Sequence, residues 1–315
     1  QGLLLNMEAY IGDSEIIKGQ APYTLNNKEL KWETTAQFDV GLDVGLFNNR
    51  YSLTADFYIK KTSDLLLNVP VAFHTGYDLA MQNVGDMENR GFEVALNAVP
   101  VDGNRFKWDA NLTFGFNRNK VTNLMGTEEG LIGASIMGIS NWTRVKEGTP
   151  IGTMYGYKTD GIAQLNENLG EIPYFPGRSI LYGDRKYVDK NGDGGLNEAD
   201  LFVLGNANPD FTYGWNNTFS FNLGERAGNI HLSLFLQGVY GNEIANFNKF
   251  ALESFDGTRN NTTTALERWT PDNPSNRYPR ANATPMAAVM SDHQLEDGSY
   301  LRVKDVTLAY DLPNT

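Results

Sequence analysis

The stretch WETTAQFDVGLDVGL, Trp32–Leu46, alternates almost without error. Its even positions are Trp32, Thr34, Ala36, Phe38, Val40, Leu42, Val44 and Leu46; its odd positions are Glu33, Thr35, Gln37, Asp39, Gly41, Asp43 and Gly45. Successive side chains of a strand point to opposite faces, so this segment has one apolar face and one acidic, polar face. After Phe47-Asn48-Asn49-Arg50 the rhythm restarts, with Tyr51, Leu53, Ala55, Phe57 and Ile59 set against Ser52, Thr54, Asp56, Tyr58 and Lys60. Strands of soluble domains average about 5–6 residues. A 15-residue strand followed by a partner nearly as long predicts a hairpin in the wall of a transmembrane β-barrel.

The same dyad period recurs at Phe92–Ala98, Phe106–Asn117, Phe211–Leu223, Ile230–Leu236 and from about Tyr300 to Leu312. Aromatic residues crowd the strand ends, as interfacial girdles require. Three links between strands are tight, at Phe47–Arg50, Pro100–Asn104 and Gly224–Asn229. Three read as long, at Thr62–Asn89, Asn119–Pro209 and Gly241–Ser299. Short turns on one side and long loops on the other are the pattern of outer-membrane barrels. Parity then requires zero or two wall strands inside Asn119–Pro209, with Thr149–Gly161 as the best candidate for one of a pair. The expected organisation is loop over 1–30, four barrel strands over 31–118, and a long loop region over 119–207. A barrel hairpin over 208–241, an extracellular loop over 242–298 and a strand over 299–315 complete it.

Bulk properties narrow the function. The net charge of −12 disfavours nucleic acid, whose phosphates need clustered Lys and Arg. The absence of cysteine excludes disulfides and thiolate metal sites. The longest uncharged apolar run, Gly130 to Trp142, is too short for a spanning helix of about 20 residues. The chain starts at Gln1 and stops just after a strand-like run, so it reads as a piece of a longer protein. A soluble carbohydrate-binding or adhesin β-domain is the competing reading, since alternation alone does not say which face meets lipid. Loops far beyond about 12–15 residues count against a compact soluble domain.

One chemical motif stands out. Asp189-Lys190-Asn191-Gly192-Asp193-Gly194-Gly195-Leu196-Asn197-Glu198-Ala199-Asp200 follows the 12-residue calcium-loop template. Candidate ligands are Asp189, Asn191, Asp193, the carbonyl of Gly195, Asn197 and Asp200, with Gly194 at the sharp-turn position and Leu196 as the apolar anchor. Asp200 stands where a bidentate Glu is usual, and an Asn/Asp/Gly-rich turn without metal is the plainer reading. No catalytic residue is expected: His74, His231 and His293 lie far apart, and no nucleophile elbow or zinc spacing occurs. Trp142, Tyr155, Tyr157, Phe73 and Tyr77 are loop or near-loop aromatics able to stack on sugars or peptides, with packing as the alternative role.

Several runs resemble the C-terminal half of the SusC/RagA family of TonB-linked outer-membrane proteins. They are Leu30–Leu67, Asn83–Pro100, Phe106–Val121, Lys146–Ile162, the calcium-like loop followed by Gly205–Phe221, Arg268–Arg280 and Glu296–Pro313. The resemblance implies an all-β, antiparallel barrel segment belonging to a 22-stranded plugged barrel in the bacterial outer membrane. It also implies import of glycans or peptides, powered by the TonB system, with a SusD-type surface lipoprotein as lid. The odd-numbered face of Glu33–Gly45 would then line the lumen, and the even face would meet outer-membrane lipid.

Overall fold

The computed structural model describes residues 4–11, 15–22, 25–77, 79–124, 130–133, 135–253, 255, 257, 259–281 and 289–313. Its main feature is one antiparallel sheet of seven strands, ordered as they occur in the chain. We label them β1 (Thr34–Leu46), β2 (Tyr51–Pro70), β3 (Leu79–Asp102), β4 (Phe106–Asn123), β5 (Phe211–Asn222), β6 (Asn229–Tyr240) and β7 (Tyr300–Asp311). Each strand pairs only with its neighbours in sequence, so the sheet is a pure up-and-down meander. The 4–22 segment adds a separate two-stranded hairpin, Leu4–Ile11 with Glu15–Pro22.

Register carries the two-faced pattern across the whole sheet. Val44, Leu53, Leu96, Leu112, Trp215, Leu236 and Val303 form one unbroken row. On the opposite face, Gly45, Ser52, Asn97, Asn111, Asn216, Phe235 and Asp305 form another. The apolar face is uncovered: Phe38, Leu301, Val306 and Leu308 are 60, 64, 62 and 73% exposed. A β-sandwich would turn this face onto a second sheet about 10 Å away, but the remaining sheets among the described residues are two-stranded. An apolar surface of this extent needs lipid against it.

The apolar band also climbs across the rows. It covers Phe38–Leu46 on β1 but Leu301–Tyr310 on β7, while Leu46 lies in the row of Val306. Strands tilted to the membrane normal produce this drift, because a level band then crosses successive strands at successive registers. Aromatic residues mark both rims. Phe106, Trp108, Phe219 and Phe221 stack at the turn end, and Phe114, Phe211, Tyr213 and Tyr240 at the loop end. Asn217 interrupts the outward apolar set, but it is buried and its Oδ1 accepts the Trp108 indole N–H at 3.1 Å.

The turn end is tight. Phe47, Asn48 and Asn49 all take left-handed backbone conformations, closing a turn in which the Arg50 N–H donates to the Phe47 carbonyl at 3.2 Å. The Arg50 guanidinium then donates to the carbonyls of Val99 and Pro100, both at 2.7 Å, fastening the turn to β3. At the other end the expected long link Thr62–Asn89 is corrected: β2 and β3 continue past the band, and only 71–78 connects them. At about 3.4 Å per residue the 24-residue β3 reaches roughly 80 Å. A bilayer crossing needs about 9–11 residues, so more than half of β3 stands clear of the lipid. Register shifts after Thr62 and Asp86 mark the start of this extension.

Parity resolves to zero wall strands between β4 and β5, which pair directly, Thr212 opposite Gly115. The Thr149–Gly161 candidate lies in short strands outside the wall: Thr153–Gly156 pairs with Phe202–Asn206, and Thr159–Ile162 with Arg185–Tyr187. The two long loops form a cap with its own buried core, including Ile162, Leu196, Tyr187 and Trp269. The protein is thus apolar outside along the wall and apolar inside within the cap.

A charge placed in the wall reads out this inversion. Leu112→Arg, at the middle of the outward band, is expected to cost about 2–4 kcal/mol. Thr113→Arg, one residue away on the opposite face, is expected to cost far less. Urea unfolding of the full-length protein in lipid bilayers measures both, and equal penalties would contradict the face assignment.

Candidate functional site

The face of the sheet opposite the apolar one is polar and acidic. Asp39, Asp43, Asp56 and Glu93 lie on it, beside Gln37, Tyr58, Lys60, Asn89 and Asn117. Part of this face forms a trough of about 590 Å³ between β1 and β4. A second trough of about 580 Å³ follows between β2 and β7, lined by residues such as Asp56, Glu93, Thr113, Gln237 and Lys304. The side chains brace one another. The Thr54 hydroxyl donates to Asp43 at 2.6 Å, Gln37 to Asp39 at 2.9 Å, and the Tyr58 hydroxyl to Asn117 at 3.3 Å. Gly91 is needed where the Tyr58 ring crosses it, since a Cβ there would overlap the ring. Such a surface of fixed oxygens and amides can pass a hydrated, hydrogen-bonding solute along a conduit.

The cap closes over the loop end by interlocking its two loops. The Tyr157 N–H donates to the Met290 carbonyl at 2.9 Å, and the Trp269 indole to Gln164 at 3.0 Å. Arg280 donates to the fully buried carboxylate of Asp184 at 2.8 Å. The aromatic residues singled out from the sequence divide by environment. Tyr155 and Tyr157 are buried, and Tyr157 packs with Tyr187 and Leu196 while its hydroxyl donates to the Asn197 carbonyl at 3.1 Å. Burial, together with the carboxylates of Asp200 and Glu198, pushes the Tyr157 hydroxyl up to about 12. Both rings are therefore buried within the cap. Trp142 stands edge-on to Phe247 at 4.9 Å. Tyr77 is half-buried in the 71–78 link, and the side chain of Phe73 lies outside the described residues.

The loop at 189–200 is curled by hydrogen bonds among its own residues. Asp189 accepts the N–H groups of Gly192 and Gly194, both at 2.7 Å, and these bonds hold its carboxyl below the usual aspartate range. Asp193 accepts from Gly195 at 2.9 Å, and Asn191 from Asp193 at 3.0 Å. Asp200 is fully buried and accepts from Lys190 and Asn197 at 2.9 and 2.8 Å. From outside, Glu198 is held by Asn141 at 2.7 Å and Arg144 at 2.6 Å. Among the described residues, no three His, Asp or Glu side chains converge as a metal-ligand group.

His231 has partners that the sequence did not reveal. Its Nδ1 lies 2.8 Å from the Ser220 hydroxyl and its Nε2 2.9 Å from Asp311, across three neighbouring strands. A serine, a histidine and an aspartate in series have the hydrogen-bonded order of an acyl-transfer triad, set here within paired strands. Ser220 is paired to Lys107 on one side and His231 on the other, so the local backbone N–H groups belong to the ladder.

Comparison with known proteins agrees with this architecture. Residues 7–225 match the family described as TonB dependent receptor-like, beta-barrel. TonB-dependent receptor P3 of Formosa agariphila is 33% identical, over 98% of this chain and 30% of its own length. TonB-dependent receptor SusC of Bacteroides thetaiotaomicron is 27% identical, over 91% of this chain and 27% of its own length. Among solved structures, that of the RagAB peptide transporter superposes with a TM-score of 0.75 at 25% identity, covering 98% of this chain and 32% of that one. The chain therefore spans about a third of the length of the relatives it matches.

Proposed function

The chain belongs to the TonB-dependent receptor β-barrel family of the outer membrane, and we propose that it forms wall and surface cap of a nutrient importer. The solute would be a glycan or peptide, received from a SusD-type lipoprotein lid and drawn in by the TonB system. One observation carries the reading: the seven-stranded wall is apolar outside and polar inside, with a folded cap at its loop end. The likeness to SusC and to RagAB supports the substrate class. In lipid the outer edges of β1 and β7 would each leave a row of backbone groups unpaired, so the wall works only with further strands beside it. The role proposed is transport, as the family membership supports.

The test is uptake by cells producing the full-length protein. Labelled oligosaccharide or oligopeptide should accumulate only when the protein and an active TonB system are both present. Accumulation that ignores TonB, or none with either class, would contradict the proposal.

Calcium at Asp189–Asp200 is a second part of the proposal. The carboxylate oxygens of Asp189 and Asp193 each accept one hydrogen bond and keep a lone pair for a cation, whereas Asp200 Oδ1 accepts from both Lys190 and Asn191. The ligands would be Asp189, Asn191, Asp193, the Gly195 carbonyl, Asn197 and Asp200, so amide and carbonyl oxygens must complete a set of six to eight. Its role would be to pin the cap. Calorimetric titration of the full-length protein with calcium should give heat that Asp189→Ala and Asp193→Ala abolish. No heat from the parent protein, or unchanged heat from both variants, removes the site.

A further inference from the structure

The outward face of β2–β4 changes character abruptly at the loop end of the apolar band. Its last aromatic row is Phe57, Phe92 and Phe116. The next outward row toward the loops is Ile59, Arg90 and Arg118, and the one after it is Lys61, Glu88 and Lys120. Four cations therefore stand on three adjacent strands, directly above three phenylalanines. With strands about 4.8 Å apart and same-face residues about 7 Å apart along a strand, the cations occupy a patch roughly 10 Å by 7 Å.

Two carboxylates belong to the patch but do not neutralise it. Glu88 meets Arg90 at 2.5 Å and Lys61 at 3.6 Å, and Asp210 meets Arg118 at 2.5 Å. The side chains of Lys61, Arg90 and Arg118 remain 67, 61 and 49% exposed. Lys120 is exposed and has no carboxylate partner among the described residues. Arg118 lies over the Phe116 ring, 4.6 Å from its centroid, joining the charged row to the aromatic one. A guanidinium has five donors. Arg90 gives its Nε to Glu88 and keeps its terminal nitrogens for a second anion. Arg118, whose Nη1 also meets the carbonyls of Asn117, Pro209 and Asp210, keeps its Nε and one Nη2 hydrogen. This excess of positive charge sits on a chain of net charge −12.

We propose that this patch binds the phosphorylated headgroup of an outer-leaflet lipid. Lys61, Arg90, Arg118 and Lys120 would hold the phosphate, and acyl chains would run down over Phe57, Phe92 and Phe116. Position favours lipid over a protein partner: the cations are on the membrane-facing side, immediately above the band, where a headgroup must lie. Charge-assisted bonds to phosphate are short and strong, and the guanidinium fork matches phosphate oxygens. The inference rests on reading this face as lipid-facing, and its controls separate the two.

The experiment uses the full-length protein in detergent, incubated with bisphosphorylated lipid A, with its dephosphorylated form, or with phosphatidylcholine. Native mass spectrometry then counts lipid retained. The parent protein should retain the phosphorylated lipid at least tenfold more than the other two. The quadruple variant Lys61→Gln, Arg90→Gln, Arg118→Gln, Lys120→Gln should lose that preference. The pair Lys61→Gln, Lys120→Gln breaks no short ion pair and should lose a large part of it, which covers the case where the quadruple variant fails to fold. The pair Lys60→Gln, Lys107→Gln, on the lumen face, should leave the retention of each lipid as in the parent protein. Equal retention of phosphorylated and dephosphorylated lipid, or unchanged retention by the Lys61/Lys120 pair, overturns the proposal; the second result with preference intact points to a protein as the patch's partner. Loss of preference in the lumen-face pair would instead overturn the assignment of faces.

Discussion

A strand in hydrocarbon has no water to satisfy its N–H and C=O groups, and each unmet group costs several kcal/mol. Everything else in the wall depends on that constraint. It requires a strand to pair along its length on both sides, and β2 to β6 meet it in the simplest way, by a meander in which β1 to β7 pair in sequence order. Once the ladder is fixed, so are the faces. A one-residue slip would exchange every side chain, putting Asp39, Asp43, Asp56 and Glu93 into lipid. The apolar pattern and the ladder thus lock each other, and no core is needed between them.

Freed from supplying a core, the wall's inner face can be built of polar groups that brace one another, such as Thr54 with Asp43 and Tyr58 with Asn117. The outer face keeps to the same logic even where it breaks the apolar pattern, since Asn217 is covered and satisfied by Trp108. The cap answers to water instead. It buries Ile162, Leu196 and Tyr187 in the ordinary way and joins its two loops through buried bonds such as Arg280 to Asp184. One chain therefore holds two solvents' rules, and the boundary is visible in register shifts after Thr62 and Asp86.

The wall was legible in the sequence because period-two alternation is a local signal, and its three turns were legible because they interrupt it. The extension of β2 and β3 was not. Bulges after Thr62 and Asp86 break the alternation, so a continuing strand reads as a loop. Within the cap, Tyr155 and Tyr157 read as loop or near-loop aromatics whose role, stacking or packing, stayed open, because the contacts that bury Tyr157, with Met290 and Tyr187, are remote in sequence and without period. The partners of His231 were hidden for the same reason: Ser220 and Asp311 meet it only through cross-strand register. The 189–200 loop was visible at once, since its geometry is set by residues within one turn of chain.

The central claim is that alternate residues of one strand meet different solvents. Spin labels placed one at a time from Phe38 to Leu46 in the full-length protein, reconstituted in bilayers, test it directly. Collision with oxygen, concentrated in lipid, should peak at Phe38, Val40, Leu42, Val44 and Leu46. Collision with a water-soluble nickel chelate should peak at Asp39, Gly41, Asp43 and Gly45. Two profiles of period two, out of phase by one residue, are the predicted result. Profiles in phase, or chelate access on the even face, would contradict the account.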